Sequence, residues 1–324
     1  MRPSAILCLI ALGCGQADDV GEEPVTDADA DADTDADADT DTDTDTDTDA
    51  DADTDADADT DTDTPTEVAG CAELEVGYLT PDDAAMPYFD RCTTAFGVRV
   101  YATAGVPDDK LLHVAYVTAE YLDNDEDGIA DDQAVVDKML SYDAVMLVFE
   151  DERELETNGF LGSSFEHQVY WQPTWVTEMD ASRPPWFDAS IEEILHLINV
   201  FGHAQVYPTA FGWEPGTALT DAMDIARGGH FQSIPASYPD EAWYHYDDWT
   251  CDYGCMAIEY LYWAITTHMG AQSDPQRCNL ISHEWELCTP EELEATDVSI
   301  HALITDPAYR MPQILPDGDY LPAG

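Results

Sequence analysis

Positive charge is what this chain has least of. Ten Lys and Arg stand against 70 Asp and Glu, which leaves a formal charge of −60 over 324 residues. Binding DNA, RNA or anionic lipid requires cations facing phosphates, so the composition argues against those partners and for divalent cations or cationic substrates. Long apolar runs are missing as well: no stretch reaches the roughly 20 residues of a membrane-spanning helix. G-x-S-x-G, G-x-x-x-x-G-K-[ST] and G-x-G-x-x-G are all absent, which removes the simplest serine-hydrolase, P-loop and dinucleotide readings. Paired carboxylates are too plentiful in so acidic a chain to point to glycoside hydrolysis.

The N-terminus carries Arg2 and then a short apolar run over 5–12, interrupted only by Cys8. That pattern predicts a cleavable export signal over 1–13. The segment Leu9-Ile10-Ala11-Leu12-Gly13-Cys14 resembles a bacterial lipobox, with Ala11 where Leu is usual. The resemblance implies lipidation of Cys14 and a cell-envelope lipoprotein, facing the periplasm or the exterior. An ordinary secretory signal is the alternative. From 27 to 63 every odd position is Asp, alternating with Ala or Thr. Repelling charges and the lack of an apolar face predict a solvated, disordered tether over 14–66. Weak calcium binding by this Asp array ranks below the spacer role.

The folded domain is expected over 67–324. It keeps 47 acidic and nine basic residues, roughly −38 of the charge. Six of the eight cysteines lie in it: Cys71, Cys92, Cys251, Cys255, Cys278 and Cys288. An even number in an exported protein predicts disulfides, and proximity suggests 71–92, 251–255 and 278–288 among 15 combinations. A zinc site on Cys251 and Cys255 is the weaker alternative. Pairing would also leave no cysteine free as a nucleophile.

Strands are expected over 98–103, 144–149 and 169–176, the last interrupted by Pro173. Helices are expected over 108–122, 133–140, 188–201 with a stop at Gly202, 218–227, 255–268, 290–295 and 300–304. The fold class is α+β: one helix-dominated domain with a small sheet, disulfide-stapled, with a calcium loop between two helices.

That loop is Asp123-Asn124-Asp125-Glu126-Asp127-Gly128-Ile129-Ala130-Asp131-Asp132. Asp123, Asp125 and Asp127 can converge on one hard cation, with the Ile129 carbonyl and Asp131 completing the shell. The segment resembles EF-hand and thrombospondin type 3 calcium loops. Ala134 stands where an EF-hand has its bidentate Glu, so a structural calcium site is expected rather than a sensor.

A second constellation lies in Ser190-Ile191-Glu192-Glu193-Ile194-Leu195-His196, continuing to Asn199 and His203. Glu192 and His196, four apart, share a helical face. The segment resembles the HExxH helix of zincin metallopeptidases, with Glu192 in place of the first His. The resemblance implies zinc held by Glu192 and His196, with Glu193 as general base. A gluzincin-like third ligand is Glu259, a lone carboxylate in an apolar helix that needs a partner. His203 is an alternative ligand or a group behind the metal site, and Asp224, His230, His245, Asp247 and Asp248 are further ligand-type residues. The expected function is a metal-dependent hydrolase, most simply a zincin-like peptidase with a protein or peptide substrate. The alternatives are a non-catalytic, calcium-stabilised interaction module and a degenerate zincin. Trp243, Tyr244, Tyr246 and Trp249 suit either a cleft or a core.

Overall fold

Strand β5, Ala144–Phe149, is apolar at every position, and all six residues are buried. A strand covered on both faces reads this way in a parallel sheet. The computed structural model describes residues 68–182 and 187–322. The expected export signal, Cys14 and the expected Asp-rich tether lie outside these residues.

Around β5 the chain builds a six-stranded mixed sheet whose spatial order follows the sequence. Strands β1 (Val68–Ala69) and β2 (Gly77–Tyr78) are short. Strands β3 (Arg91–Ala95) and β4 (Val98–Ala102) form an antiparallel hairpin, with Ala95 opposite Val98. Phe96 and Gly97 between them both take positive φ, 51° and 80°, as a two-residue type I′ turn requires. Strands β4, β5 and β6 (Tyr170–Trp175) are mutually parallel. β6 closes the described sheet, and an edge strand tolerates Pro173 without breaking an inner ladder.

The helices are α1 (Asp108–Leu122), α2 (Gln133–Ser141), α3 (Glu152–Thr157), α4 (Ala189–Ile198), α5 (Ala204–Val206), α6 (Pro208–Phe211), α7 (Ala218–Ala226), α8 (Tyr253–His268), α9 (Pro275–Ile281), α10 (Pro290–Thr296) and α11 (Val298–Ile304). Ala144, Met146 and Val148 of β5 enter the larger core with α1, α2, α4 and α8. Val145, Leu147 and Phe149 point the other way, into an aromatic cluster with Phe89, Tyr101, Phe160 and Phe165. Helix and strand therefore meet as an α+β fold.

Three disulfides staple it: Cys71–Cys92, Cys251–Cys255 and Cys278–Cys288. These are the pairs that proximity suggests. One expected boundary is corrected. The helix begun at residue 189 does not stop at Gly202; it passes through a π-helical turn, Asn199–His203, into α5. A Cβ on Gly202 would lie 2.6 Å from Val135 Cγ1, so the glycine admits α2 at close range rather than ending the helix.

Candidate metal centre

Helix α4 is placed by its cap. The Asp188 carboxylate accepts from the Ser190 backbone N–H at 2.9 Å and the Ser190 hydroxyl at 2.6 Å. Its other oxygen lies 2.5 Å from His113 Nε2 on α1. Further along, the Tyr121 hydroxyl donates to the Ile191 carbonyl. The cap and α1 thus fix which face of α4 turns inward.

That inward face is apolar except where it carries Glu192, Glu193 and His196, all buried. Helix α8 supplies the opposite wall. Its residues are buried nearly all round, as expected of a central helix, and Glu259 is 1% exposed among them. Ligand-type atoms of Glu192, His196 and Glu259 lie within 4.8 Å of one another. His196 Nε2 is 3.7 Å from Glu259 Oε2, and His196 Nδ1 is 3.8 Å from Glu193 Oε2. One carboxylate therefore faces each ring nitrogen.

Neither His196 nitrogen, nor Glu259 Oε1, takes a hydrogen bond from any described residue. A buried polar atom left this way costs about 1–3 kcal/mol. Burial pushes Glu192 up to about 7 and Glu193 up to about 8, and raises Glu259 well above the carboxylate range. The charges of Glu192 and Glu193 add to the rise at Glu259. Burial alone drives His196 down, to about 4, with Glu192 opposing it. Three carboxylates crowded beside a neutral imidazole are the donor chemistry of a divalent metal.

The partners around this group were not legible in the sequence. The Gln172 amide on β6 donates to Glu193. Tyr246 hydrogen-bonds Glu259, and Tyr262 hydrogen-bonds Glu192. The Tyr262 ring also meets the His196 ring edge-on at 5.6 Å. His203 lies outside the group. It is buried in the π turn with its ring 6.0 Å from Phe211, and burial lowers it to about 4. Asp224 and His230 pair with each other at 2.6 Å instead. His245 faces Glu286 at 3.8 Å. Of the four aromatics, Tyr244 and Tyr246 are core, Trp243 is half-buried and Trp249 is exposed.

The acidic loop forms the other group. Asp123, Asp125 and Asp127 present carboxylate oxygens within 4.8 Å of one another. Asp123 is fully buried, and accepts from the Asp127 and Gly128 backbone N–H groups at 3.1 and 2.8 Å. Gly128 takes φ +84° to make that bend. Asp131 is turned to the Asn124 N–H, outside the three-carboxylate group, and the Ile129 residue is exposed. Asp132 caps α2 and accepts from Tyr207. The C-terminal segment lies over the loop: Gln313 and Ile314 N–H bond Asn124 Oδ1, and the Tyr320 hydroxyl donates to Asp123. A surface cleft beside the loop is lined by Asn124, Asp125, Asp131, Arg310 and Gln313; the His196 group is interior and does not open into it.

No protein-family model matches the chain, and no curated protein or solved structure matches it either.

Proposed function

We propose that this protein is a cell-envelope-anchored, metal-dependent hydrolase of zincin-like type, with a peptide or protein substrate. The observation that carries the reading is His196, 1% exposed, with neither ring nitrogen hydrogen-bonded to a described residue and a carboxylate facing each. Glu192, His196 and Glu259 would hold zinc, whose chemistry there is to polarise the scissile carbonyl and make a bound water acidic. Glu193, pushed to about 8 by burial, has the proton affinity of a base near neutral pH. It would take a proton from the attacking water and hand it to the leaving group, while the Gln172 amide holds its carboxylate in place. Asp123, Asp125 and Asp127 would bind calcium as a structural ion. Cys14 would carry the lipid, and the Asp-rich segment would space the domain from the membrane.

Glu193→Gln tests the catalytic assignment. The variant should keep its zinc and lose hydrolysis of an unbiased peptide library. If zinc falls together with hydrolysis, Glu193 is instead the carboxylate that orients the His196 ring. The burial of Glu192, His196 and Glu259 favours one second reading, a degenerate zincin serving as a calcium-stabilised interaction module. Purified domain containing calcium but no transition metal would decide for that reading.

A further inference from the structure

Glu192 stands where the zincin pattern has a neutral histidine, and a second carboxylate ligand weakens the pull of a dication on its bound water. Behind Glu192 lies an arginine whose charge acts on it.

Arg277, on α9, is 2% exposed. A guanidinium in that position is costly unless its charge is matched. Its side-chain hydrogen bonds go to neutral partners: Nε donates to Gln272 Oε1 at 2.9 Å, and Nη2 donates to the Tyr262 hydroxyl at 3.2 Å. The Phe187 and Trp263 rings flank it, 4.5 and 5.5 Å from the guanidinium carbon. The Tyr262 hydroxyl has one proton, and with Arg277 donating to its oxygen that proton is free to go to Glu192, the other partner of this hydroxyl. The bonds run in one direction, from cation through phenol to carboxylate, and each polarises the next. Helix α9 is pinned beside this chain by the disulfide from Cys278, the next residue, to Cys288.

We propose that Arg277 is a positioning residue for the metal centre: through the Tyr262 hydroxyl it orients Glu192 and cancels its charge, so that Glu192, Tyr262 and Arg277 together act as a neutral ligand in place of histidine. The inference rests on the metal-site reading above. It gives a buried arginine and a buried tyrosine a purpose that core packing does not require.

The experiment is a metal-affinity series on the full chain, using Zn²⁺ against a chromophoric chelator and the visible spectrum of bound Co²⁺, with His196→Ala as the background for metal held elsewhere. Arg277→Met should weaken binding about 10–100-fold, the usual cost of losing a group that orients a ligand. Arg277→Lys should recover part of the loss. Tyr262→Phe keeps the ring against His196 and breaks the relay, so it should also weaken binding and shift the Co²⁺ spectrum. Glu192→His in the Arg277→Met background should restore most of the affinity, because the charge to be cancelled has gone. A purely structural arginine would gain nothing from that second change. Unchanged affinity in Tyr262→Phe, or no rescue in the double variant, overturns the proposal while leaving the metal site standing. Wild-type protein that binds no more Zn²⁺ than His196→Ala overturns both.

Discussion

His196 Nε2 and Glu259 Oε2 lie 3.7 Å apart, on helices that the chain separates by α5, α6 and α7. At that distance they do not hydrogen-bond each other, yet a metal about 2 Å from each fits between them.

Metal uptake should release protons. Burial holds Glu192 at about 7, Glu193 at about 8 and Glu259 higher than the ordinary range, while His196 is lowered to about 4. At pH 7 the carboxylates carry protons that a metal must displace, and the imidazole does not. Calorimetric titration of metal-free protein in buffers of different ionisation enthalpy should show net release, shrinking as pH passes about 8. Net uptake, or none at pH 7, would contradict this arrangement.

The metal-free domain should lose stability as pH rises from about 6.5 to 8. Glu192, Glu193 and Glu178 have folded pKa values raised from 4.5 to about 7, 8 and 7. The folded state therefore binds more protons than the unfolded one above pH 4.5, and stability falls with rising pH until the folded values are passed. His196 and His203, lowered from 6.5 to about 4, act in the opposite sense, but only below about 6.5. Above about 6.5 that opposition fades, while Glu120, raised by burial to about 7, and His283, raised from 6.5 by its hydrogen bond to Glu284, add to the fall. Urea midpoints across that window should fall without metal and flatten with it.

Gly202→Ala should destabilise the domain by about 1–3 kcal/mol, the usual cost of overpacking. The added methyl would sit 2.6 Å from Val135 Cγ1 and 3.4 Å from Met139 Cγ. Val135→Ala in the same chain should return part of the loss. Equal stability of Gly202→Ala and wild type by chemical denaturation would show that the π turn does not hold α2 this closely.

Calcium should raise the melting temperature and protect the C-terminal segment. Tyr320 bonds Asp123 at 2.5 Å, and the Leu321 N–H bonds Glu126 at 3.1 Å. Order in the loop and docking of that segment are therefore linked, and a ligand that binds only the folded loop stabilises both. Limited proteolysis in calcium and in chelator should differ after residue 311. Tyr320→Phe should narrow the difference.

Much of the domain was legible because its longer helices carry apolar periodicity behind a recognisable start. Asp188 caps α4 just before its apolar run. The short apolar run 144–149 suggests a buried strand, and it is one. Spacing alone put Glu192 and His196 on one face. Strand β3 was not legible, because Arg-Cys-Thr-Thr-Ala carries little apolar alternation and its turn uses Phe96 where Asn or Asp would be the signal. Helix α9 did leave a mark, an Asp274 cap followed by Pro275 at the first helical position. Its seven residues are too few for periodicity to confirm. Gln172 and Tyr262 looked like ordinary strand and core residues, since what makes them matter is a contact from a distant helix. Arg277 was the exception in kind: one of nine basic residues in a domain of 47 acids, next to a cysteine.

The three disulfides close chain separations of 21, 4 and 10 residues, and none encloses another. Each pair is therefore complete before the next cysteine is synthesised. If the chain is exported as proposed, and emerges N-terminus first into an oxidising compartment, each domain cysteine would meet one correct partner at a time. Oxidation in order of emergence would then yield the native pairing without reshuffling, and refolding of the reduced domain should need no disulfide isomerase.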